Sequence, residues 1–198
     1  MLVAERNANE VTERDRQGKV LWRHPCASSP IACQRLPGGN TLVCTWNELY
    51  EVTPTGQKLF AYTHAQGFRH AVKARDGRVV FIASNGEVGV LDARGKPLRT
   101  ITPSAHGAGA SYWASVEPLP NGRFLLALGG AGRVVEIDAA GKVVWECQQN
   151  APVFATRLRT GHTLVASFEG RCLVEVDRAG KPVGRVALQG RPFAVRRY

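Results

Sequence analysis

No stretch of the 198 residues approaches the roughly 20 uninterrupted apolar residues that a membrane-spanning helix requires. The opening, MLVAERNANE, turns polar within its first few residues, so neither a signal peptide nor a membrane contact is expected as the sequence stands. Cysteine is sparse and unpatterned. Cys26, Cys33, Cys44, Cys147 and Cys172 are odd in number and lack any CxxC spacing, which argues against a disulfide framework or a zinc site. Buried free thiols in a reducing, cytoplasmic setting are expected instead. Catalytic punctuation is missing too: there is no HExxH, no GxSxG and no glycine-rich phosphate cradle ahead of a helix. Paired carboxylates set apart from turn duties are also lacking, as is any metal-ligand spacing, so no metal and no cofactor is expected.

Acidic residues are the minority, 16 against 26 Lys and Arg, giving a net charge of +10. Such a surplus suits an anionic partner. The basic residues are scattered among turns and match no nucleic-acid-binding module, so nucleic acid is not the expected ligand.

What the sequence does contain is a repeat. Four segments stack on one another, beginning at Gly39, Gly77, Gly122 and Gly161, among them GRVVFIASNGEVGVLDARGKPLRTI and GRFLLALGGAGRVVEIDAAGKVVWEC. A second series, Gly18, Gly56, Gly95, Gly141 and Gly180, keeps the same period with spacings of 38, 39, 46 and 39 residues. Within each unit, apolar runs of four to six residues are bounded by Asn-Gly, Asp-Gly and Asp-x-x-Gly-Lys signals, the grammar of short strands and tight turns. In the Asp-x-x-Gly turns (Asp15, Asp92, Asp138, Asp177) the carboxylate accepts backbone N–H bonds and the glycine takes a positive φ, so these acids read as turn formers; Thr53 and Pro54 replace the pattern in one copy.

Each unit of about 40 residues predicts four antiparallel strands, and a repeat of such units predicts a β-propeller. The N-terminal segment supplies three strands of a blade without its inner one, whereas the C-terminal PFAVRRY matches an inner strand and stops. The expectation is therefore one all-β domain of five four-stranded blades: 192–198 with 1–25, then 30–63, 68–101, 113–147 and 152–188. In it the C-terminal strand pairs with the N-terminal blade and leaves no open edge. The alternative is a fragment of a propeller with six to eight blades.

The runs Asp15-Arg16-Gln17-Gly18-Lys19-Val20-Leu21-Trp22 and Asp138-Ala139-Ala140-Gly141-Lys142-Val143-Val144-Trp145 resemble the pyrroloquinoline-quinone-type propeller repeat, with an acid, a short turn, Gly-Lys and an aromatic. Phe60 keeps the aromatic; Arg99 and Gly184 depart from it. The resemblance covers essentially the whole chain and implies the fold. Quinone-dependent dehydrogenases share the repeat but have more blades and a calcium-assisted pocket that nothing here supplies. Bacterial propellers of unassigned function, and distantly the arylsulfotransferase-like propellers, share the pattern more closely.

By analogy with known propellers, the outer-to-inner connections and the second-to-third-strand turns gather at one face. The connection 102–113 is the longest and carries His106, Tyr112 and Trp113. Asn7, Asn9, Trp46, Asn47, Arg69, His70 and Phe168 are expected at the same rim, suited to a peptide, glycan or planar ligand. A second series, Arg35, Lys73, Arg157 and Arg196, recurs four residues before the turn glycine, with Pro118 breaking it. These cations either form an anion-binding ring or pair with the equally periodic Glu13, Glu51, Glu136 and Glu175. The reading is a monomeric, non-catalytic module that binds a protein, peptide, glycan or small anion. The alternative is an arylsulfotransferase-like or hydrolase propeller with His106 or His70 as its acting histidine and Arg69 holding an anionic group.

Overall fold

The computed structural model describes residues 1–104 and 113–195. The fold is all-β, with five propeller-type blades, each a meander in which every strand pairs with the next in sequence. The first comprises β1 (Leu2–Glu5), β2 (Glu10–Arg14) and β3 (Val20–Pro25). The second holds β4 (Pro30–Arg35), β5 (Thr41–Thr45), β6 (Leu49–Val52) and β7 (Lys58–Tyr62); the third holds β8 (Phe68–Lys73), β9 (Val79–Ala83), β10 (Val88–Leu91) and β11 (Pro97–Ile101). The fourth is β12 (Ala114–Pro118), β13 (Phe124–Leu128), β14 (Arg133–Ile137) and β15 (Val143–Gln148). The fifth is β16 (Pro152–Arg157), β17 (Thr163–Ser167), β18 (Cys172–Val176) and β19 (Pro182–Ala187). The chain divides into two compact units, 1–83 with 89–100, and 84–88 with 101–198.

The first blade has three strands, not four. Among the described residues, 188–195 form no strand, and β1 pairs with β2 alone. Two causes are visible. Pro192 has no N–H to give a ladder, and Phe193 packs on Trp113 and Phe168. Residues 196–198 of the expected inner strand lie outside the described residues.

The turns form as their side chains dictate. Asp15 Oδ1 accepts from the amides of Gln17 and Lys19, both at 2.9 Å. Asp92, Asp138 and Asp177 repeat this pair of bonds. Gly141 closes its turn at φ 85°, and a Cβ there would stand 2.7 Å from the Thr102 carbonyl oxygen. Between the turns, β5, β6, β9 and β10 are buried along their whole length. Strands covered on both faces read as unbroken apolar runs, as TLVCT and VVFIA do.

The core lies between successive blades. One cluster joins Leu42, Leu49 and Phe60 of the second blade to Phe68, Val79 and Phe81 of the third. Another joins Leu125 and Val134 of the fourth to Ala155, Val165 and Val174 of the fifth. The smallest, around Val11, Val43 and Tyr50, joins the first two blades.

Each of these cores is sealed at the Asp-turn end by a repeated clasp. The strand pairs β2–β3, β6–β7, β14–β15 and β18–β19 all carry a bulge next to a glutamate. The bulge leaves Leu21, Leu59, Val144 and Val183 unpaired and exposed, and sets Trp22, Phe60 and Trp145 directly across from Glu13, Glu51 and Glu136. Into each Glu–aromatic pair reaches the cation that ends the next blade's inner strand. Arg35 meets Glu13 at 2.5 Å with its guanidinium 4.9 Å from the Trp22 ring. Arg157 meets Glu136 at 2.6 Å and lies 4.7 Å from the Trp145 ring. Lys73 meets Glu51 at 2.5 Å, with Phe60 at 6.0 Å. The indoles of Trp22 and Trp145 then donate to the turn carbonyls of Pro54 and Arg178 in the following blade, both at 2.8 Å.

Between the first two blades, His24 Nε2 lies 3.1 Å from Tyr50 Oη, and that hydroxyl donates to Cys26 Sγ. Burial, reinforced by the Lys58 ammonium, holds the His24 imidazole below its ordinary pKa, so the fold favours the neutral ring.

Two outcomes follow from these contacts. Trp145→Phe keeps a ring beside Arg157 but loses the indole N–H bond, and should cost about 1 kcal/mol. For a chain of this length that is a Tm drop of about 2–4 °C by calorimetry. Trp145→Ala, which also removes the ring, should cost clearly more. For His24 the folded pKa is depressed, so its contribution is fully present above the unfolded histidine value of about 6.5 and is lost as the pH falls below it. The Tm should therefore decline through mildly acid pH, and His24→Asn should flatten that decline.

Candidate functional site

The opposite end of each blade carries the connections and second turns, and backbone bonds stitch these together. Trp46 N–H donates to the Ser29 carbonyl, Gly129 N–H to Trp113, and Phe168 N–H to Ala151. The aromatic residues expected at a rim thus sit at the connection-bearing ends of their blades.

In the first unit, three blades bring together Arg6, Trp46 and Arg69. The Arg69 guanidinium lies 4.6 Å from the Trp46 ring centroid and that of Arg6 lies 5.4 Å away. Backbone bonds fix this arrangement: Phe68 N–H donates to the Trp46 carbonyl at 3.0 Å, and Ser29 Oγ donates to the Arg6 carbonyl at 3.1 Å. Asn7 lies exposed in the β1–β2 turn, where Asn9 takes a positive φ of 51°. Asn47, also exposed, lies in the β5–β6 turn, its amide donating to Thr45 Oγ1. His70 is half-buried on β8, in register with Ile82. Two guanidinium groups on one indole make a cationic, planar surface.

In the second unit, Trp113 and Phe168 stack at 5.6 Å with 28° between their planes. Phe193 meets each of them edge-on at 5.1 Å. Arg191 lies 4.8 Å from the Phe168 ring centroid and donates to Glu169 at 3.2 Å.

Of the remaining candidates, His106, Tyr112 and Arg196 lie outside the described residues. Arg35, Lys73 and Arg157 stand at the Asp-turn end, each with its charge matched by a glutamate of the preceding blade. That is the second of the two arrangements their spacing allows. Glu175, the fourth periodic glutamate, accepts from or is met by His162 Nδ1 at 2.8 Å. Arg6, Arg191 and Phe193 are absent from the sequence-derived set: Arg6 lies in the β1–β2 turn, Arg191 follows the last full blade, and Phe193 reads in sequence as part of the closing inner strand. Among the described residues no group of three or more potential metal ligands occurs. The thiols of Cys26 and Cys147 are pushed up by burial, which disfavours the thiolate a nucleophile would need.

Among curated proteins none matches the chain. Solved structures do. A Bacteroides caccae protein of unknown function superposes with a TM-score of 0.83 at 18% identity, covering 94% of this chain and 72% of its own. Virginiamycin B lyase from Staphylococcus aureus superposes with a TM-score of 0.73 at 15% identity, covering 98% of this chain and 69% of the lyase. A functionally unknown protein from Desulfotomaculum acetoxidans gives 0.71 at 14% identity, with 98% and 67% covered. At these identities the likeness is one of fold. The PQQ_2 family model, described as outer membrane protein assembly factor BamB, matches residues 7–191, and the chain accordingly belongs to this family of PQQ-type β-propeller repeat proteins.

Proposed function

We propose that the protein is a non-catalytic binding module whose connection-bearing blade ends hold an anionic partner that presents a planar group. The observation that carries this reading is the Trp46 ring held beside both Arg6 and Arg69. Guanidinium groups pair with carboxylate, sulfate or phosphate, and the indole face takes a planar body. The partner is a protein, peptide, glycan or small molecule bearing such an anion. The family model is named for an assembly factor rather than for a reaction, which is in keeping with a binding role.

A second reading is an enzyme with His70 as its acting group. The similar structures that favour it are virginiamycin B lyases, one of them a catalytically inactive variant with a histidine replaced by alanine, with quinupristin. One probe separates the two. p-Nitrophenyl sulfate, titrated by calorimetry, should bind without releasing p-nitrophenol, and Trp46→Ala should weaken it at least ten-fold. Turnover of this probe, or of a streptogramin B, that His70→Ala abolishes would establish the enzyme instead.

Closure of the ring by residues 192–198 beside β1 belongs to the same proposal. It is supported by the alignment of Gly190–Val195 with Gly67–Val72, the run that opens the third blade's inner strand. Deleting 192–198 should abolish cooperative melting or cause aggregation; unchanged melting would leave a propeller fragment as the better description.

A further inference from the structure

The aromatic cluster of the second unit differs in kind from the aromatic residues of the core. Phe68 and Phe81 meet edge-on at 5.1 Å and are buried to within 1% of completely. Phe193 makes contacts just as close to Trp113 and Phe168, yet 53% of it stays exposed. The backbone around it belongs to no strand, and the anchor beside it, Arg191 to Glu169, is an exposed ion pair of a kind that contributes little. What remains fixed when Phe193 is removed is the shelf itself. Trp113 is tied to its blade by the bond from Gly129, and Phe168 by its own bond to Ala151.

We propose that Trp113, Phe168 and Glu169 form a binding shelf for an aromatic ring accompanied by a cation, and that Phe193 and Arg191 occupy it as stand-ins from the chain itself. The chain displays the recognition rule it implies. Trp113 and Phe168 take the ring, the Phe168 face takes the cation, and the Glu169 carboxylate pairs with that cation. A partner fits that carries arginine or lysine two residues before an aromatic, as Arg191-Pro192-Phe193 does. Only the two side chains need swing aside; the backbone path of the segment is unaffected. The site takes a cationic partner on residues of the second unit and shares no residue with the anion-binding surface around Trp46. Failure of either reading leaves the other untouched.

A tethered stand-in competes at high effective concentration, so it lowers the apparent affinity for an outside ligand by the fraction of time it holds the site. The probe is the tripeptide acetyl-Arg-Pro-Phe-amide, titrated by calorimetry into the full chain. The double variant Arg191→Ala, Phe193→Ala should bind it at least ten-fold more tightly than the unaltered protein. Adding Trp113→Ala should abolish that gain, adding Glu169→Gln should reduce it several-fold, and acetyl-Arg-Pro-Ala-amide should not bind. Equal affinity in the two proteins, or a gain indifferent to Trp113→Ala, would make Phe193 a packing residue and overturn the proposal. A second measurement does not depend on the variants folding. With fluorinated phenylalanine in the unaltered sequence, saturating tripeptide should move the Phe193 resonance toward that of a solvent-exposed ring, and an unmoved resonance would overturn the proposal equally.

Discussion

A propeller blade of four short strands buries little by itself, so its stability rests on how it is fastened to the next. Here the fastening is one interaction repeated: a glutamate on the third strand, an aromatic across from it on the fourth, and a cation from the following blade set against both. The three parts depend on each other. The bulge turns the aromatic toward the neighbour, the ring covers the cation, and the cation neutralises a glutamate that in two of the three clasps, Glu51 and Glu136, is nearly out of water. In the Lys73–Glu51 pair the side chains keep only 15% and 8% of their exposure. Removing Lys73 leaves Glu51 with an amide donor, Asn40 Nδ2 at 2.8 Å, but without its cation, a larger loss than the pair's own net gain. The indole N–H bonds to the next blade's turn carry the fastening outward from the ion pair.

The clasp residues do not recur at every repeat. At the positions equivalent to glutamate, aromatic and cation, the third-blade pattern continues as Val90, Arg99 and Pro118. None of the three positions keeps the residue type that the clasp has there. The long connection 102–113 lies between Arg99 and Pro118.

How much could be read in advance follows from which features repeat. The Asp-x-x-Gly turns were legible because a single side chain fixes each one through two bonds to nearby amides, with no tertiary context required. The strands were legible because apolar runs between such turns have one way to be buried. The clasp was half-legible. Its cations and glutamates were visible as two periodic series, but their pairing requires the bulge, and a bulge is a misalignment between strands that no single strand's residues announce. A fourth strand of the first blade is not seen among the described residues for a related reason. Residues 190–195 carry the right pattern for an inner strand, but Pro192 withdraws a ladder donor and Phe193 finds its ring partners on the fourth and fifth blades.

The two ends of the blades use the same chemistry for opposite purposes. At the Asp-turn end, arginine on an aromatic is completed by a glutamate of the preceding blade and recurs from blade to blade, so it is scaffold. At the connection-bearing end, Arg6 and Arg69 on Trp46, and Arg191 on Phe168, occur where the repeat lapses: a β1 terminus, a strand start, a chain segment beyond the last full blade. Self-similarity exposes what every blade needs and hides what one blade alone has acquired. Residues able to discriminate a ligand are of the second kind, because a contact made identically by five blades cannot distinguish one side of a partner from another. That is why Trp46 and Trp113 could be suspected from their aromatic character, whereas Arg6, Glu169 and Phe193 became visible only when the fold set them beside those rings.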